Sequence, residues 1–314
     1  MKRYVCRLTA LLLAFFCLIS LLSCGDTPEG PQGDGTVSED DGGSGGEPTQ
    51  HETLKLMSFN IRTQTASDTG VRNWTSSRKE HVIAYLLASD MDVICLQEVK
   101  ERQFEHLRVG LLDVYAGQHF SADPTSDNGE GLAIFFKRDL QLAEASYYWL
   151  SETPEYRSFG WGAENLRIAA TMTFRAKSGV YFNVINTHLD HKYVAARENG
   201  MALILERMPQ KYPTFICGDF NETSTGGAYR QIAAVMQDAQ VVAPTTDSGS
   251  TYQAWGAYAD ATDNSHLIDF WFATKDANVL KFDILKDTVS EGVYYSDHFA
   301  ITTEVQLAIP STKK

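Results

Sequence analysis

The stretch Thr214-Phe215-Ile216-Cys217-Gly218-Asp219-Phe220-Asn221 decides how the chain is read. Residues fit for a buried strand run straight into a glycine, a carboxylate and an amide. Strands covered on both faces read as near-continuous apolar runs. A polar cluster at the end of such a strand is held with little freedom, as a site of fixed geometry requires. Taken alone, Asp219-Phe220-Asn221 is also a plain Asx turn, because Asp and Asn side chains bond their own backbone two residues on. The pattern recurs, however. Leu56 to Phe59 ends in Asn60, and Val93 to Leu96 ends in Gln97-Glu98. Phe182 to Ile185 ends in Asn186-Thr187-His188-Leu189-Asp190, and Tyr294-Tyr295-Ser296 leads into Asp297-His298. Five such endings in one chain, all bearing hard-ligand or proton-transfer groups, exceed what turn and cap chemistry demands.

Working outward, β-branched and aromatic content bounded by Gly, Asp or Asn predicts strands over 54–59, 92–96, 114–120, 132–136, 140–148, 167–175, 181–186, 214–217, 266–273, 279–285 and 298–306. Apolar residues recurring at three and four predict helices over 74–87, 102–110, 193–208 and 228–239. Early strands alternate with helices and later ones cluster, so an α+β domain on two packed sheets fits better than a parallel barrel. Hydrophobic residues make up 43% of the chain, enough for a sizeable core.

The formal charge of −13 mixes unlike segments. Residues 1–24 carry a basic start (Lys2, Arg3, Arg7) and an apolar run too short for a comfortable membrane span of about 20 residues. This reads as a secretory signal. Its end, Leu21-Leu22-Ser23-Cys24, resembles a bacterial lipoprotein cleavage site, which implies cleavage before Cys24 and lipid on that residue. The expected location is the bacterial cell envelope, periplasmic or outer-surface, with the membrane reached through the N-terminal lipid. Residues 25–50 hold seven acids, no Lys or Arg, and many Gly and Pro, a flexible tether. Residues 51–314 then form one domain with 24 of the 27 basic and 33 of the 40 acidic side chains, a formal −9. That lacks the basic footprint of a nucleic-acid binder, although a local patch or a metal can still receive a polyanion. Cys95 and Cys217, each inside an apolar run, read as two buried free thiols rather than a disulfide.

Carboxylates with an amide oxygen suit Mg²⁺, or Mn²⁺ in its place, whereas zinc favours more His or Cys. A bound cation neutralises phosphate oxygens, and His188 and His298 offer acid, base or phosphate-contact roles near neutral pH. No Gly-x-Ser-x-Gly nucleophile elbow follows a predicted strand, the literal match Gly42–Gly46 lying in the Gly-rich tether, and no Gly-x-x-x-x-Gly-Lys or His-Glu-x-x-His pattern occurs, which disfavours acyl-enzyme, nucleotide-loop and zinc-protease readings.

The series Ser58-Phe59-Asn60-Ile61-Arg62, Leu96-Gln97-Glu98-Val99, Asn186-Thr187-His188-Leu189-Asp190, Gly218-Asp219-Phe220-Asn221, Ile268-Asp269 and Ser296-Asp297-His298 resembles the endonuclease/exonuclease/phosphatase superfamily. The resemblance covers residues 54–306 and implies a four-layered α/β/β/α sandwich, two mixed sheets face to face and flanked by helices, as in deoxyribonuclease I. It implies a metal-dependent phosphoester hydrolase, a phosphodiesterase, phosphatase or nuclease working by in-line attack of water. Glu98 would be the principal metal ligand, with Asn60 and Asp297 near the ion. Asp219 would orient or deprotonate the water, and Asn221 would hold a non-bridging oxygen. His298, oriented by Asp269, would bind phosphate or move a proton, and His188 would donate to the phosphate.

Further segments resemble secreted bacterial members: Arg72-Asn73-Trp74 with Arg78, Tyr148-Trp149-Leu150-Ser151-Glu152-Thr153-Pro154, Trp161 and Arg167. They mark Arg167, Trp161, Tyr148 and Glu152 as substrate contacts and Arg62 as a scaffold residue. Gly162 stands where that subgroup carries Asp, which weakens a polar role for its loop. The substrate could be a phosphorylated small molecule, a phospholipid headgroup or a nucleic-acid fragment, and no protein partner is implied. The competing class is a catalytically silent, substrate-binding surface lipoprotein on the same scaffold. It would predict eroded polar strand ends, which this chain does not have.

Overall fold

The computed structural model describes residues 50–126 and 129–309. The expected signal over 1–24, the lipidation site Cys24 and almost all of the 25–50 tether lie outside the described residues. All eleven expected strands form. A seven-stranded sheet contains β1 (His51–Asn60), β2 (Val93–Lys100), β3 (Tyr115–Ser121), β4 (Glu130–Lys137), the short β10 (Thr245–Thr246), β12 (Asn278–Leu285) and β13 (Ala300–Ala308), in the order β10-β12-β13-β1-β2-β4-β3. A six-stranded sheet contains β5 (Gln141–Trp149), β6 (Ile168–Arg175), β7 (Tyr181–His188), β8 (Thr214–Asp219), the short β9 (Gln237–Asp238) and β11 (Asp269–Ala273), in the order β5-β6-β7-β8-β11-β9. Both sheets are mixed, with parallel pairs at β1/β2, β10/β12 and β7/β8.

Side-chain period 2 explains how the layers pack and where the polar groups fall. On β1, Met57 and Phe59 point to the outer core beneath α1 (Lys79–Ser89) and α2 (Glu101–Gly110), which supply Val82, Leu86, Phe104 and Leu107. Leu54 and Leu56 point the other way, into the core shared with the second sheet. The outer face of that sheet carries α3 (Val194–Arg207) and α4 (Gly227–Ala233), where Tyr229 packs on Phe270 and Phe272 of β11. The inward face of β1 continues through Ser58 to Asn60, so the same alternation that fills the core turns polar at its end.

Here the two sheets are joined by amides. Gln97 Nε2 donates to Ser58 Oγ (3.0 Å) on its own sheet and to Asn186 Oδ1 (2.8 Å) on the other. Asn186 Nδ2 returns to the carbonyls of Leu96 (2.9 Å) and Ala133 (3.3 Å). Both amides are fully buried. Cys95 and Cys217 are buried and free, as expected.

Two elements differ from expectation. The helix expected over 74–87 begins as a π-helical turn at Trp74–Arg78, capped by Asn73, whose side chain accepts from Ser76 N. The helix expected over 228–239 ends at Ala233. Gln237–Asp238 instead pairs with the edge of β11, and Asp238 caps the short α5 (Ala239–Val242) by accepting from Gln240 N. Ladder bonds and a cap there outweigh continued helical periodicity.

Replacing Asn186 by Leu strips partners from Gln97 and Leu96 at once, and a buried polar group left unpaired costs about 1–3 kcal/mol. Urea unfolding of Asn186→Leu should show a loss of roughly 2–4 kcal/mol. A midpoint equal to wild type would remove the amide bolt as a stabilising element.

Candidate active site

Three strand ends of the second sheet lie side by side. His188 is in register with Asp219, and Asp219 with Asp269. Gly218, immediately before, has φ +144°, and a Cβ there would overlap the carbonyl oxygen of Thr187. Only glycine lets β8 run this close to β7. From the other sheet come Asn60 and Glu98. Glu98 has φ 60°, at a bulge that shifts the β2/β4 register between Leu96 and Val99. The bulge re-aims its carboxylate, as bulges beside sites do.

Asn60 Nδ2 bridges the sheets, donating to Glu98 Oε1 (3.1 Å) and to Asp219 Oδ2 (3.0 Å). Glu98 Oε2 accepts from Thr63 N (2.8 Å) and Asn60 Oδ1 from Arg62 N (3.0 Å). Asp219 Oδ1 accepts from Asn221 N (2.8 Å), the Asx turn that the sequence permits. His298 Nδ1 meets Asp269 Oδ2 at 2.9 Å, while its Nε2 lies 3.7 Å from Asp219 Oδ2. Ser296 Oγ donates to Asn60 O (2.7 Å), and Asp297 pairs with Arg62 Nη1 at 3.6 Å.

A cleft of about 490 Å³ opens over these groups. Glu98, Arg167, His188, Asp219, Asn221, Asp297 and His298 line it, and Asn60 and Asp269 lie beneath, hydrogen bonded to the lining. Arg62, expected as scaffold, also lines the cleft. Its own φ of 59° turns its guanidinium toward Asp68 and Asp297. Tyr148, Trp161 and Glu152 do not line it. Tyr148 is buried under the Arg207 guanidinium, 4.9 Å from the ring centre, on the helix-covered face. Glu152 accepts from Trp161 N in the neighbouring loop. Sequence reading missed Thr63, Glu130, Asn165, His191, Tyr252 and Ile268, which complete the lining. None of them ends one of the five apolar runs, and the family resemblance assigns none of them a role.

Electrostatics divide the cluster. Burial opposes charge on Glu98, but the Thr63 N–H, the Asn60 amide and the nearby His298 and Arg62 charges outweigh it and hold the carboxyl below its ordinary range. Burial, then the neighbouring Asp269 charge, pushes Asp219 up to about 7. Burial would lower His298, but Asp269 and Asp219 overcome it and raise the imidazole to about 10. His188 is driven well below 6.5 by burial and by the Arg167 and His298 charges, so its ring is neutral.

A neutral imidazole has one lone pair and one N–H. Yet Arg167 Nη1 lies 3.0 Å from Nδ1 of His188, and Asn221 Nδ2 lies 3.0 Å from Nε2. Flipping the Asn221 amide would set its oxygen against the Leu189 carbonyl that it now bonds at 3.0 Å. One donor of the trio is therefore surplus, and Arg167 Nε is a further buried donor without a partner among the described residues. This corner suits an anion.

Asp219, Asp269 and His298 bring donor atoms within 4.8 Å of one another. A His298 that is protonated and bound to Asp269 has no lone pair for a metal, so this trio is better described as a proton-handling cluster. Glu98, with two accepted bonds and carboxylate lone pairs to spare, together with Asp297 and the Asn60 carbonyl, is the all-oxygen set that fits a hard cation.

A two-sheet sandwich with a carboxylate–imidazole cleft at its strand ends defines the class. The match to a sequence model is then specific: residues 57–298 match that of the Endonuclease/Exonuclease/phosphatase family, and the chain belongs to that family. A Bacteroides vulgatus member is 30% identical, with TM-score 0.74 over 82% of this chain and 99% of that one. The mannosyl-6-phosphatase of Bacteroides thetaiotaomicron is 28% identical, with TM-score 0.74 over 80% and 99%. Nocturnin of Drosophila melanogaster is 27% identical over 84% of this chain and 48% of its own length, so this chain spans about half of that curated relative.

In the metal-free protein, nitrogen NMR should find both ring nitrogens of His298 protonated beyond pH 8, with Asp269→Asn returning the titration toward the ordinary histidine range. Because the folded value lies above the unfolded one, the stability from this pair is fully present below about pH 6.5 and lost as pH rises through about 10. A His298 that titrates near 6.5 in the wild type would refute the assignment.

Proposed function

We propose that the protein is a cell-envelope hydrolase of phosphate esters on small molecules, dependent on Mg²⁺ or Mn²⁺ and lipid-anchored through Cys24. The observation that carries the reaction is the pairing of an anion corner, Arg167–His188–Asn221, with a base poised near neutrality, Asp219. In this reading, the surplus donors of the corner hold non-bridging phosphate oxygens. Asp219, oriented by Asn60 and the Asn221 N–H, takes the proton of the attacking water as the general base. His298, kept charged by Asp269, donates to the developing negative charge. Glu98, Asp297 and Asn60 would hold the cation, which supplies neutralisation of phosphate oxygens and of the departing oxygen. No side chain is needed as a covalent nucleophile.

A small substrate is supported by the cleft volume of about 490 Å³ and by the formal −9 of residues 51–314, which opposes the counterion-release attraction on which long nucleic acids depend. The likeness to a mannosyl-6-phosphatase points the same way. The nuclease reading rests on the likeness to the 3′-5′-exoribonuclease subunit Ccr4 of Saccharomyces cerevisiae, 25% identical over 57% of this chain and 27% of its own length.

Assays of residues 51–314 with a sugar phosphomonoester, a phosphodiester, single-stranded RNA and sphingomyelin should give fastest turnover on the monoester and none after EDTA. Turnover that survives metal removal sinks the cation requirement, and RNA as the best substrate favours the nuclease. His298→Ala and Asp219→Asn should each lower kcat at least about a hundredfold, the scale of a lost proton-transfer group. Activity should rise with pH as Asp219 ionises and fall as His298 loses its proton. Since a nearby cation favours the carboxylate and disfavours the imidazolium, the limbs should lie at or below about 7 and about 10 respectively. A profile flat from pH 5 to 10 would remove both groups from the rate-limiting step.

A further inference from the structure

Arg78 is 1% exposed, and among the described residues it makes no ion pair within 4.0 Å. Its guanidinium instead donates to four backbone carbonyls. Nε reaches Arg72 O (2.7 Å), Nη1 reaches Ile61 O (2.7 Å) and Tyr295 O (3.1 Å), and Nη2 reaches Arg62 O (3.2 Å). Its Cζ also lies over two indoles, 5.5 Å from the ring centre of Trp74 and 5.4 Å from that of Trp255. Two of the carbonyls follow β1 directly, the third ends the turn Gly70–Arg72, and the fourth lies just ahead of β13. Residues 61–63 follow β1 and contain the left-handed Arg62, and Tyr295 precedes Ser296-Asp297-His298. A guanidinium offers five donors in a rigid planar fork, which an ammonium cannot reproduce.

We propose that Arg78 is a positioning residue for the reaction above, holding the Asn60–Thr63 and Tyr295–His298 segments in one fixed relation. The first segment supplies Asn60 and the Thr63 N–H that grips Glu98. The second supplies Asp297 and His298. Beyond the Arg78 fork, they are tied by Ser296 Oγ to Asn60 O and by Arg62 to Asp297. Without the fork, the cation ligands and the proton donor drift relative to each other, and misplacement by about 1 Å costs on the order of a hundredfold in rate. Trp255 covers the fork from the 249–262 segment. It and Ala254 hold left-handed backbone conformations, φ 57° and 50°, while Gln253 N and Ala254 N grip Asp297 O at 2.9 and 3.0 Å.

The role rests on the hydrolase reading but has a readout of its own. Hydrogen exchange by mass spectrometry on Arg78→Lys should show faster exchange in peptides covering 60–64 and 294–299, with 183–188 unchanged. On the monoester, kcat should fall at least tenfold with KM altered less than about threefold. If Arg78→Lys does not fold, Trp255→Leu, which uncovers the fork without removing it, should deprotect the same two peptides and lower kcat about threefold or more. Uniform deprotection of the whole domain, or wild-type kcat in a folded Arg78→Lys, overturns the role. A wild-type protein that turns over no phosphate ester refutes the hydrolase reading instead, and the exchange pattern then decides alone whether Arg78 ties the two segments.

Discussion

Asp219 is a carboxylate with 1% of its surface exposed, and a buried charge must be compensated where it sits or be neutralised by a proton. In this molecule the compensation comes from both sheets: the Asn60 amide at the end of β1 and the His298 ring just ahead of β13 from one, the Asn221 N–H just past β8 from the other. Most of the architecture at this end follows from that requirement. The sheets must approach closely enough for an amide to span them, which the buried Gln97–Asn186 pair secures one residue pair deeper. β8 must press against β7, which Gly218 permits. The compensation stops short of complete, leaving Asp219 protonatable near neutrality, and the proposed base role draws on that incompleteness.

The neighbouring groups show the same economy of placement. Asp269 holds His298 charged, and the charged His298 in turn helps keep His188 neutral. Two imidazoles in one cluster thereby take opposite protonation states: burial disfavours charge on both, Arg167 reinforces that on His188, and Asp269 with Asp219 overcomes it on His298. A charged imidazole and a neutral one thus stand near Asp219 Oδ2, their Nε2 atoms at 3.7 and 3.4 Å.

Much of this was legible in the sequence, because the groups that do the chemistry follow apolar strands and are local in sequence even though they converge in space. Asn60, Glu98, His188, Asp219 and Asn221 each directly follow or end such a run. What escaped was whatever depends on backbone geometry or on the choice of face. The bulge that turns Glu98 inward and the left-handed turn that brings Arg62 to the cleft leave no compositional mark. Tyr148 misled because alternation says that Tyr147 and Trp149 share a face, not which face that is. They pack with Phe120 and the Ala122 carbonyl, and Tyr148 goes under Arg207. Glu130 opens a strand rather than closing one, and His191, Asn165 and Tyr252 lie in connections with no periodicity to read.

That division bears on how one family serves different substrates. The groups around Asp219 hang from strand ends fixed by ladders, amides and a four-carbonyl arginine, so they have few ways to vary without losing the arrangement. The rest of the cleft wall comes from connections: Asn165 before β6, His191 before α3, Tyr252 in the segment that wraps Asp297. Loops carried on a rigid scaffold tolerate change far better than the scaffold does. Within a family that keeps such a scaffold, differences in what the cleft accepts are therefore expected in these connections, where a changed side chain leaves the ladders and the buried amides intact.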